Sequence, residues 1–371
     1  MRYKNICRLL SCIFCFMILI GTQSCDDMSE LSDRFLDDGS IVYAAKVDSV
    51  AAHPGDERIV LELFIYTQRI DSVRIYWNDG ADSKSVYVGN KPGKYEVSLD
   101  VEESAYVFNL ISVDKYGNTS LPVEVSSEAV GDDFRRLVAR QQLSAASFNA
   151  KRGKLMLYWG SPVTYGYENE IIYTNTEGKE VKRRASTTLD SIADWGSGLK
   201  YRTLALPNEL AIDTFYTEYE EIERFPIDKN FCKILGYSSQ VNSGKENVAA
   251  NAFNDIYTDR WHSGNTGYPH WMTIDFGGEV DIRTFGVTPS TYDLSGGAIV
   301  DVRFPTKVRF EVSLDNVNWT PLGDFPSINT QPGEQVFDVP ATKARYYRFT
   351  GVESTAGNGY MVLSELDAYL Y

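Results

Sequence analysis

Cysteine is scarce in this 371-residue sequence once its N-terminal end is set aside. Four of the five cysteines lie within the first 25 residues, and only Cys232 follows them. A single thiol cannot form an internal disulfide, and it cannot build a thiolate metal site. Because Cys232 lies in the apolar stretch NFCKILGY, we interpret it as a buried cysteine without a chemical role.

Histidine is equally scarce, with three copies in the chain. Two of them, His262 and His270, lie in the stretch FNDIYTDRWHSGNTGYPHWMTIDFGG at residues 253–278. Their spacing across a loop rich in glycine matches neither a helix nor a strand, and no third histidine or cysteine is near. We therefore expect no zinc site; His262 is predicted to hydrogen-bond within the loop and His270 to pack where the next strand begins.

Basic side chains are outnumbered, with 36 lysines and arginines against 51 aspartates and glutamates and a formal net charge of −15. This balance disfavours nucleic acid and anionic membrane surfaces as partners. Enzyme signatures are lacking too: the sequence has no nucleophile-elbow Gly-x-Ser-x-Gly, no phosphate-binding loop, no His-Glu-x-x-His and no Rossmann glycine fingerprint. We predict that the protein is not an enzyme.

The longest apolar run, LLSCIFCFMILIG at residues 9–21, follows a basic N-terminal segment. It is shorter than the roughly 20 residues that a membrane-spanning helix needs, and it is typical of a secretory signal peptide. We predict a signal peptide over residues 1–24.

The residues after this run, TQSCDD at 22–27, resemble a bacterial lipobox. The resemblance implies that Cys25 is acylated and becomes the mature N-terminus. The residues after Cys25 are polar and acidic, and we predict an acidic tether over residues 25–40. The acidic residues after the cysteine resemble the surface-export signal of Bacteroidetes-type lipoproteins. The implied location is the outer membrane, with a lipid anchor and with the protein facing the cell exterior.

Strand patterns dominate from about residue 41 onward. Arg58–Ile65 and Ser72–Trp77 are rich in β-branched and aromatic residues, and an Asn-Asp-Gly turn closes the second of them. A similar pattern returns about one sandwich length later, at Lys154–Trp159 and Ile171–Asn175. This weak repeat predicts two tandem β-sandwiches.

The two sandwiches are predicted over residues 41–130 and 143–225, with a short helix in the segment 132–142. The run Tyr106–Val113 with the turn after it resembles the F strand and the F–G turn of a fibronectin type III domain.

The stretch 26–225 as a whole resembles an uncharacterised family of Bacteroidetes-type surface lipoproteins, commonly encoded within polysaccharide-utilisation loci. The segments that carry this resemblance are Ile41–Tyr43, Val47–Val50, Ile75–Asn78, Asp114–Asn118, Tyr201–Leu204 and Asp213–Tyr216.

From Phe231 onward the pattern changes to short strands with longer, aromatic-rich loops. Side chains alternate in Trp271–Phe276, and Met272, Ile274 and Phe276 share the face that we predict to be buried.

An ordered set of motifs runs through this last region. They are an Asn-Ala-Phe-Asn loop leading to Trp-His-Ser, a Pro-His-Trp strand ending in Asp-Phe-Gly, Val-Ser-x-Asp-x-x-x-Trp, Ala-Arg-Tyr-x-Arg and a terminal Ser-Glu-Leu. In this order they resemble the discoidin-like, coagulation factor V/VIII C-type jelly roll, which includes carbohydrate-binding module family 32. The resemblance covers residues 231–371. The predicted fold class is all-β, with two tandem fibronectin III-like sandwiches followed by a discoidin-like β-jelly roll.

The resemblance also implies a structural calcium site. Many members hold calcium in the loop before Trp-His-Ser, together with a C-terminal glutamate, because calcium accepts six to eight oxygen ligands at flexible geometry. The matching positions here are Asn254, Asp255, Thr258 or Asp259, and Glu365. Asn254 stands where an aspartate is usual, and Asp255 where a glycine is usual. The alternative is a loop held by turn hydrogen bonds of Asp and Asn side chains.

A sugar ligand needs flat aromatic rings to stack on its C–H faces and planar polar groups to bind its hydroxyls. In family 32 modules these groups come from loops at one end of the jelly roll. The loop candidates here are Tyr257, His262, Tyr268, Tyr292 and Arg303. Three tryptophans are assigned to packing instead: Trp261, Trp271 and Trp319.

The sequence therefore predicts a lipid-anchored, surface-exposed protein that captures polysaccharide or host glycan for a polysaccharide-utilisation system. One alternative is a non-catalytic structural subunit that binds the proteins of an outer-membrane transporter complex. A glycoside hydrolase accessory is a further alternative, because 51 acidic residues offer many carboxylate pairs and only geometry decides among them. Three small β-domains, however, leave no room for a barrel-type catalytic domain.

Overall fold

The computed structural model of the protein describes residues 42–241, 244–294 and 297–371. The predicted signal peptide, Cys25 and the acidic tether lie outside these described residues. The chain divides into two compact units, one running to His53 and from Arg58 to Ala129, the other comprising Pro54–Glu57 and Val130–Tyr371. Within the described ranges, no helix is long and apolar enough to cross a membrane.

The first unit is a sandwich of a three-stranded and a four-stranded sheet. Its strands are β1 (Ser49–Gly55), β2 (Arg58–Ile65), β3 (Ser72–Trp77), β4 (Asp82–Tyr87), β5 (Gly93–Asp100), β6 (Ser104–Val113) and β7 (Val123–Ala129). One sheet has the order β1-β2-β5 and the other β4-β3-β6-β7. Period-two burial defines β2, because Ile59, Leu61, Leu63 and Ile65 are fully buried while the residues between them are partly exposed.

The second unit begins with a short helix, α1 (Asp132–Leu137), whose Phe134 is buried. The helix ends earlier than the predicted segment because Val138 takes an extended conformation. A second β-sandwich follows, with the strands β8 (Leu143–Asn149), β9 (Lys154–Trp159), β10 (Gly166–Asn175), β11 (Glu180–Ala185), β12 (Leu189–Ile192), β13 (Trp195–Ala205), β14 (Phe215–Tyr216) and β15 (Glu220–Ile222). One sheet has the order β12-β9-β8, and the other has β11-β10-β13, with β14 and β15 both paired to β13.

The C-terminal part of the second unit is a jelly roll. Its strands are β16 (Phe225–Pro226), β17 (Lys233–Tyr237), β18 (Trp261–His262), β19 (His270–Thr288), β20 (Thr291–Leu294), β21 (Gly297–Val300), β22 (Lys307–Ser313), β23 (Thr320–Pro326), β24 (Gln335–Glu353), β25 (Val362–Leu363) and β26 (Glu365–Leu370). The main sheet has the order β16-β26-β19-β24-β22-β23, with β17 also paired to β19. Two small sheets, β18-β25 and β20-β21, lie beside it.

The alternating face predicted for residues 271–276 is confirmed, because Met272, Ile274 and Phe276 are fully buried. Trp261 is also fully buried, as its packing role requires. Trp271 differs: it lies on the outer face of β19, where the Arg348 guanidinium is 5.7 Å from its ring centroid. It therefore packs against a charged side chain and not in the core.

The second sandwich and the jelly roll are joined by a continuous hydrophobic core. Phe225 is fully buried, its ring centroid is 4.8 Å from that of Trp195, and its backbone pairs with Leu370 in β26. Gly278 lies so close to the second sandwich that a Cβ there would stand 2.1 Å from the Ala150 carbonyl oxygen. The boundaries 41–130, 143–225 and 231–371 stay predictions, as does the assignment of both sandwiches to the fibronectin type III type. The second boundary falls in a tightly packed junction.

Candidate ligand-binding site

Arg303 is the centre of a polar site on the loops of the jelly roll. It lies in the turn between β21 and β22, and this turn is fixed because the Asp301 carboxylate accepts a hydrogen bond from the Arg303 backbone N–H at 3.0 Å. The same carboxylate binds the guanidinium through both oxygens, with Nε donating to Oδ1 at 2.7 Å and Nη2 donating to Oδ2. Asp301 is buried, whereas the Arg303 side chain is 30% exposed. One buried carboxylate therefore holds the guanidinium in a fixed position, while part of the Arg303 side chain remains exposed to solvent.

His262, in β18, holds the other side of the guanidinium. Its Nε2 lies 2.6 Å from Arg303 Nη1, and its Nδ1 lies 2.9 Å from the Ser263 carbonyl oxygen. A guanidinium can only donate, so Nε2 accepts, and Nδ1 donates to the carbonyl. This assigns a neutral imidazole with its proton on Nδ1. Burial lowers the pKa of His262, and the positive charge of Arg303 lowers it further, which keeps the ring neutral.

Two tyrosines lie in the same region as this pair. The Tyr360 ring centroid is 5.2 Å from that of His262, with the rings nearly perpendicular. Tyr292, in β20, is 42% exposed. In the β20-β21 hairpin Tyr292 stands opposite Ile299, two residues before Asp301, so it belongs to the same loop region. The hydrogen bonds to Asp301 raise the pKa of Arg303. Burial acts to raise the pKa of Asp301, but Arg303 lowers it overall, so the carboxylate stays ionised.

Tyr268 contacts the backbone of Arg303, and His270 packs against Tyr268. The Tyr268 hydroxyl donates to the Arg303 carbonyl oxygen at 3.2 Å, and its ring packs edge-on against His270. His270 is fully buried, with Nε2 at 2.9 Å from the carbonyl oxygen of Gly359, the residue before Tyr360. The predicted packing role of His270 where β19 begins is confirmed. Tyr268 fixes the backbone of Arg303 through this hydrogen bond.

The structure thus brings four of the five predicted sugar-binding side chains into one region. We call Asp301, Arg303, His262, Tyr292 and Tyr360 the Arg303 site. Asp301 and Tyr360 were not among the predicted residues. A carboxylate two positions before an arginine is a weak signal for the first, and nothing in the sequence relates the second to His262.

Tyr257, the fifth predicted residue, lies elsewhere. It is 53% exposed and lines a cleft of about 770 Å³ between the second sandwich and the jelly roll. Other residues that line this cleft are Tyr158, Arg224, Asp255, Asp367 and Tyr369. Tyr257 therefore does not contribute to the Arg303 site.

Two of the predicted calcium ligands, Asp255 and Glu365, contact a lysine at the junction between the second sandwich and the jelly roll. Lys229 Nζ lies 2.8 Å from Asp255 Oδ1, 2.7 Å from Glu365 Oε1 and 2.6 Å from Asp367 Oδ1. The side chains of Lys229, Glu365 and Asp367 are 5%, 0% and 3% exposed, whereas that of Asp255 is 60% exposed. We call these four residues the Lys229 cluster.

The remaining calcium candidates line the same loop. The Asn254 backbone N–H donates to Glu365 Oε1 at 3.0 Å, while the Asn254 side-chain oxygen accepts from the Ile256 N–H at 2.9 Å. Asp259 Oδ2 lies 3.5 Å from Asn254 Nδ2, and Thr258 is exposed. The loop therefore shows the turn hydrogen bonds of the alternative interpretation.

The residues as they lie do not fit a calcium ion. The Lys229 ammonium already occupies the space between the carboxylates that calcium would bind. A divalent ion about 4 Å from an ammonium would be repelled by roughly 8 kcal/mol at an effective dielectric constant of about 20. Within the described part of the chain, no group of three or more His, Cys, Asp or Glu side chains is arranged to hold a metal. Calcium binding stays a prediction from the resemblance, and this geometry argues against it.

Charge in the Lys229 cluster is unbalanced, with three carboxylates around one ammonium. Burial raises the pKa of Glu365 to about 7 and raises that of Asp367, against the lowering effect of Lys229. Glu365 Oε2 and Asp367 Oδ2 are buried, and neither has a hydrogen-bond partner among the described residues. A raised carboxyl pKa lets a proton offset part of the excess negative charge.

Two family models match the chain. That of the F5/8 type C domain matches residues 236–366, and the C-terminal domain is of this class. That of DUF4998, described as a domain of unknown function, matches residues 25–215, which is more than half of the chain, and the chain belongs to this family. The predicted all-β fold with a discoidin-like C-terminal domain is confirmed. A search of curated proteins gives no match.

Solved structures similar to part of the chain include the C-terminal domain of a chitobiase from Bacteroides fragilis, with 24% identity and a TM-score of 0.34 over 39% of this chain and 99% of that one. A Clostridium perfringens module in complex with GalNAc-β-1,3-galactose has 19% identity and a TM-score of 0.35 over 39% and 99%. A family 32 carbohydrate-binding module from the same species, in complex with galactose, has 14% identity and a TM-score of 0.34 over 40% and 99%. Values this low identify no ligand for this chain.

Proposed function

We propose that the protein is a non-catalytic glycan-binding protein and that the Arg303 site receives the sugar. The observation that supports this most strongly is the guanidinium of Arg303, held by Asp301 and by neutral His262, on which the Tyr360 ring packs. The F5/8 type C class of the domain agrees with a binding module.

The chemistry of the site suits a polyhydroxylated ligand. A guanidinium has five N–H groups in a planar fork, and it binds neighbouring oxygens at two points. Three of these N–H groups hold the side chain in place, and the 30% exposed part of Arg303 faces solvent. The Tyr292 side chain, which is 42% exposed, offers an apolar surface for sugar C–H groups. A fixed donor beside an aromatic face is the combination that sugar recognition needs.

Affinity for a single sugar is expected to be weak. A shallow site buries few contacts, and the loss of rotational and translational freedom offsets much of their energy. We expect dissociation constants in the micromolar to millimolar range, as is common for few buried contacts. Attachment at a cell surface, where many copies meet one polysaccharide, would compensate by multivalency.

Location forms the second part of the proposal. The lipobox-like TQSCDD segment supports acylation of Cys25, and the acidic stretch after it supports export to the outer face of the outer membrane. The DUF4998 region would then act as a spacer between lipid and the sugar-binding module, within a polysaccharide-utilisation system. Palmitate labelling of cells that express the wild-type chain or Cys25→Ala tests the anchor; equal labelling of the two would contradict it.

Sugar binding is tested by titrating the chain without its signal peptide against a panel of oligosaccharides and polysaccharides that includes galactose and N-acetylgalactosamine ends. Arg303→Lys keeps the charge beside Asp301 but loses the planar fork, so affinity should fall at least about tenfold. The matched control is Arg309→Lys, since Arg309 forms an exposed ion pair with Asp324 in the same module. A folded chain that binds no glycan and co-purifies with an outer-membrane transporter would favour the protein-binding alternative.

A further inference from the structure

The Lys229 ammonium is placed as a bound cation would be. It contacts one oxygen each of Asp255, Glu365 and Asp367 within 2.8 Å, and its side chain is only 5% exposed. The Phe253 ring lies on another side, with its centroid 5.0 Å from Nζ. Two of the three carboxylates are buried, so this contact is shielded from solvent and is not a surface ion pair.

The backbone that carries Lys229 is fixed from both sides. Just before it, the Ile227 N–H donates to the Ala368 carbonyl oxygen at 2.9 Å, and the Asp228 N–H donates to the Phe148 carbonyl oxygen, also at 2.9 Å. Ala368 belongs to the jelly roll and Phe148 to the second sandwich. The Asp228 side chain then caps a 3₁₀ turn over Lys229–Phe231 by accepting from Asn230 N–H. The backbone just before Lys229 is therefore hydrogen-bonded to both the jelly roll and the second sandwich.

The loop is shaped to meet this lysine. Asp255 has φ 59°, the left-handed region in which a glycine is unstrained and other residues are uncommon. Its carboxylate nonetheless reaches Lys229, so the residue adds a negative charge where a glycine would add none. The Asn254 side-chain oxygen accepts a hydrogen bond from the Ile256 N–H within the loop.

We propose that the Lys229 ammonium is the resident cation of this jelly roll, so that the domain folds without calcium at the loop Asn254–Asp259. The carboxylates that would ligate a metal serve the lysine instead. The cation is supplied by a residue that precedes position 231, so a jelly roll cut at that position would lack it. The second sandwich and the C-terminal domain consequently share one ion-pair cluster.

Calcium dependence of the wild-type chain tests this without any substitution. Thermal unfolding of the chain without its signal peptide is followed by circular dichroism in EDTA and in millimolar calcium chloride, alongside isothermal titration with calcium. We expect the same unfolding midpoint in both solutions and no binding heat. A midpoint that rises with calcium, or stoichiometric calcium binding, would overturn the proposal.

Lys229→Met removes the charge and keeps the length of the side chain. Three carboxylates then lose their cation, and the equilibrium constant for unfolding should rise about 100-fold or more. The matched control is Lys233→Met, at an exposed position of β17, which should change that constant by no more than about twofold. Equal stability of the two variants would overturn the proposal, and the calcium experiment decides the question even if Lys229→Met does not fold.

Discussion

The Arg303 site and the Lys229 cluster hold a cation beside carboxylates in the same jelly roll, yet they serve different ends. At the first, one buried carboxylate holds a guanidinium that is 30% exposed, and the Tyr360 ring packs on the neighbouring His262. At the second, three carboxylates surround an ammonium that is 5% exposed, in the junction with the second sandwich. Exposure and the number of partners distinguish a group available to a ligand from a group that stabilises the fold.

The choice of cation agrees with this difference. An arginine presents a planar fork that can bind Asp301 and still offer N–H groups to a sugar. A lysine presents a compact point charge, which suits the centre of several oxygens. The comparison therefore predicts that changes at the junction lower stability and that changes at the Arg303 site lower affinity.

The largest effect is expected at the junction core. Phe225→Ala removes a fully buried ring that packs on Trp195 and should lower the free energy of unfolding by about 3–5 kcal/mol. Denaturant unfolding followed by circular dichroism measures this. Val317→Ala, at a side chain that is 76% exposed, is the control and should stay within about 0.5 kcal/mol of the wild type. Separate transitions for the second sandwich and the jelly roll, with only one shifted, would break the idea of a shared core.

A smaller effect distinguishes the two tyrosine positions. Tyr360→Ala removes the ring that packs on His262 and should weaken glycan binding by about 1 kcal/mol, or roughly fivefold. Tyr257→Ala, in the cleft at the junction, should leave the affinity unchanged. Isothermal titration with the glycan found in the panel measures both variants. The reverse pattern would move the sugar site to the junction.

Acid should weaken binding through His262. Because burial and Arg303 lower its folded-state pKa, the imidazole is neutral above its ordinary value of about 6.5 and stays neutral somewhat below it. Protonation at lower pH removes the Nε2 acceptor for Arg303, so affinity should be constant down to about 6.5 and fall at more acidic pH, by at most about tenfold per pH unit. His262→Gln retains an acceptor that does not titrate, and its affinity should lose this dependence. An identical acid limb in both proteins would assign the effect to another group.

The smallest effect is expected at the rim of the Lys229 cluster. Asp255→Asn changes a side chain that is 60% exposed, and it should lower the free energy of unfolding by no more than about 1 kcal/mol. Denaturant unfolding beside Lys229→Met gives the comparison. A loss as large as that of the lysine variant would show that Asp255 is not at a solvent-screened rim.

Much of the fold follows from local patterns. The strands β2 and β3 have the bounds predicted from their β-branched and aromatic residues, and β9 has those predicted from the repeat. The motif order after Phe231 predicted the jelly roll, which the F5/8 type C match confirms. These features depend on neighbours in the sequence, or on a resemblance that spans the whole domain.

The parts of the sites that the sequence did not reveal depend on contacts between distant segments. Tyr360 reaches His262 only because β25 pairs with β18. Lys229 lies in what reads as a linker, where a lysine is usually solvated, and only the pairing of β16 with β26 places it among buried carboxylates. Tyr257 was grouped with the sugar site because it is a loop aromatic near Trp-His-Ser. Its side chain instead lines the cleft between the jelly roll and the second sandwich.

The central claim, that sugar binds at the Arg303 site, is tested most directly by following side-chain resonances during a glycan titration. In the chain labelled with nitrogen-15 at histidine and arginine, the signals of His262 and Arg303 should shift with the concentration of the bound glycan. Those of Arg224, in the junction cleft, should not shift. Shifts confined to Arg224, with His262 and Arg303 unchanged at saturation, would contradict the account.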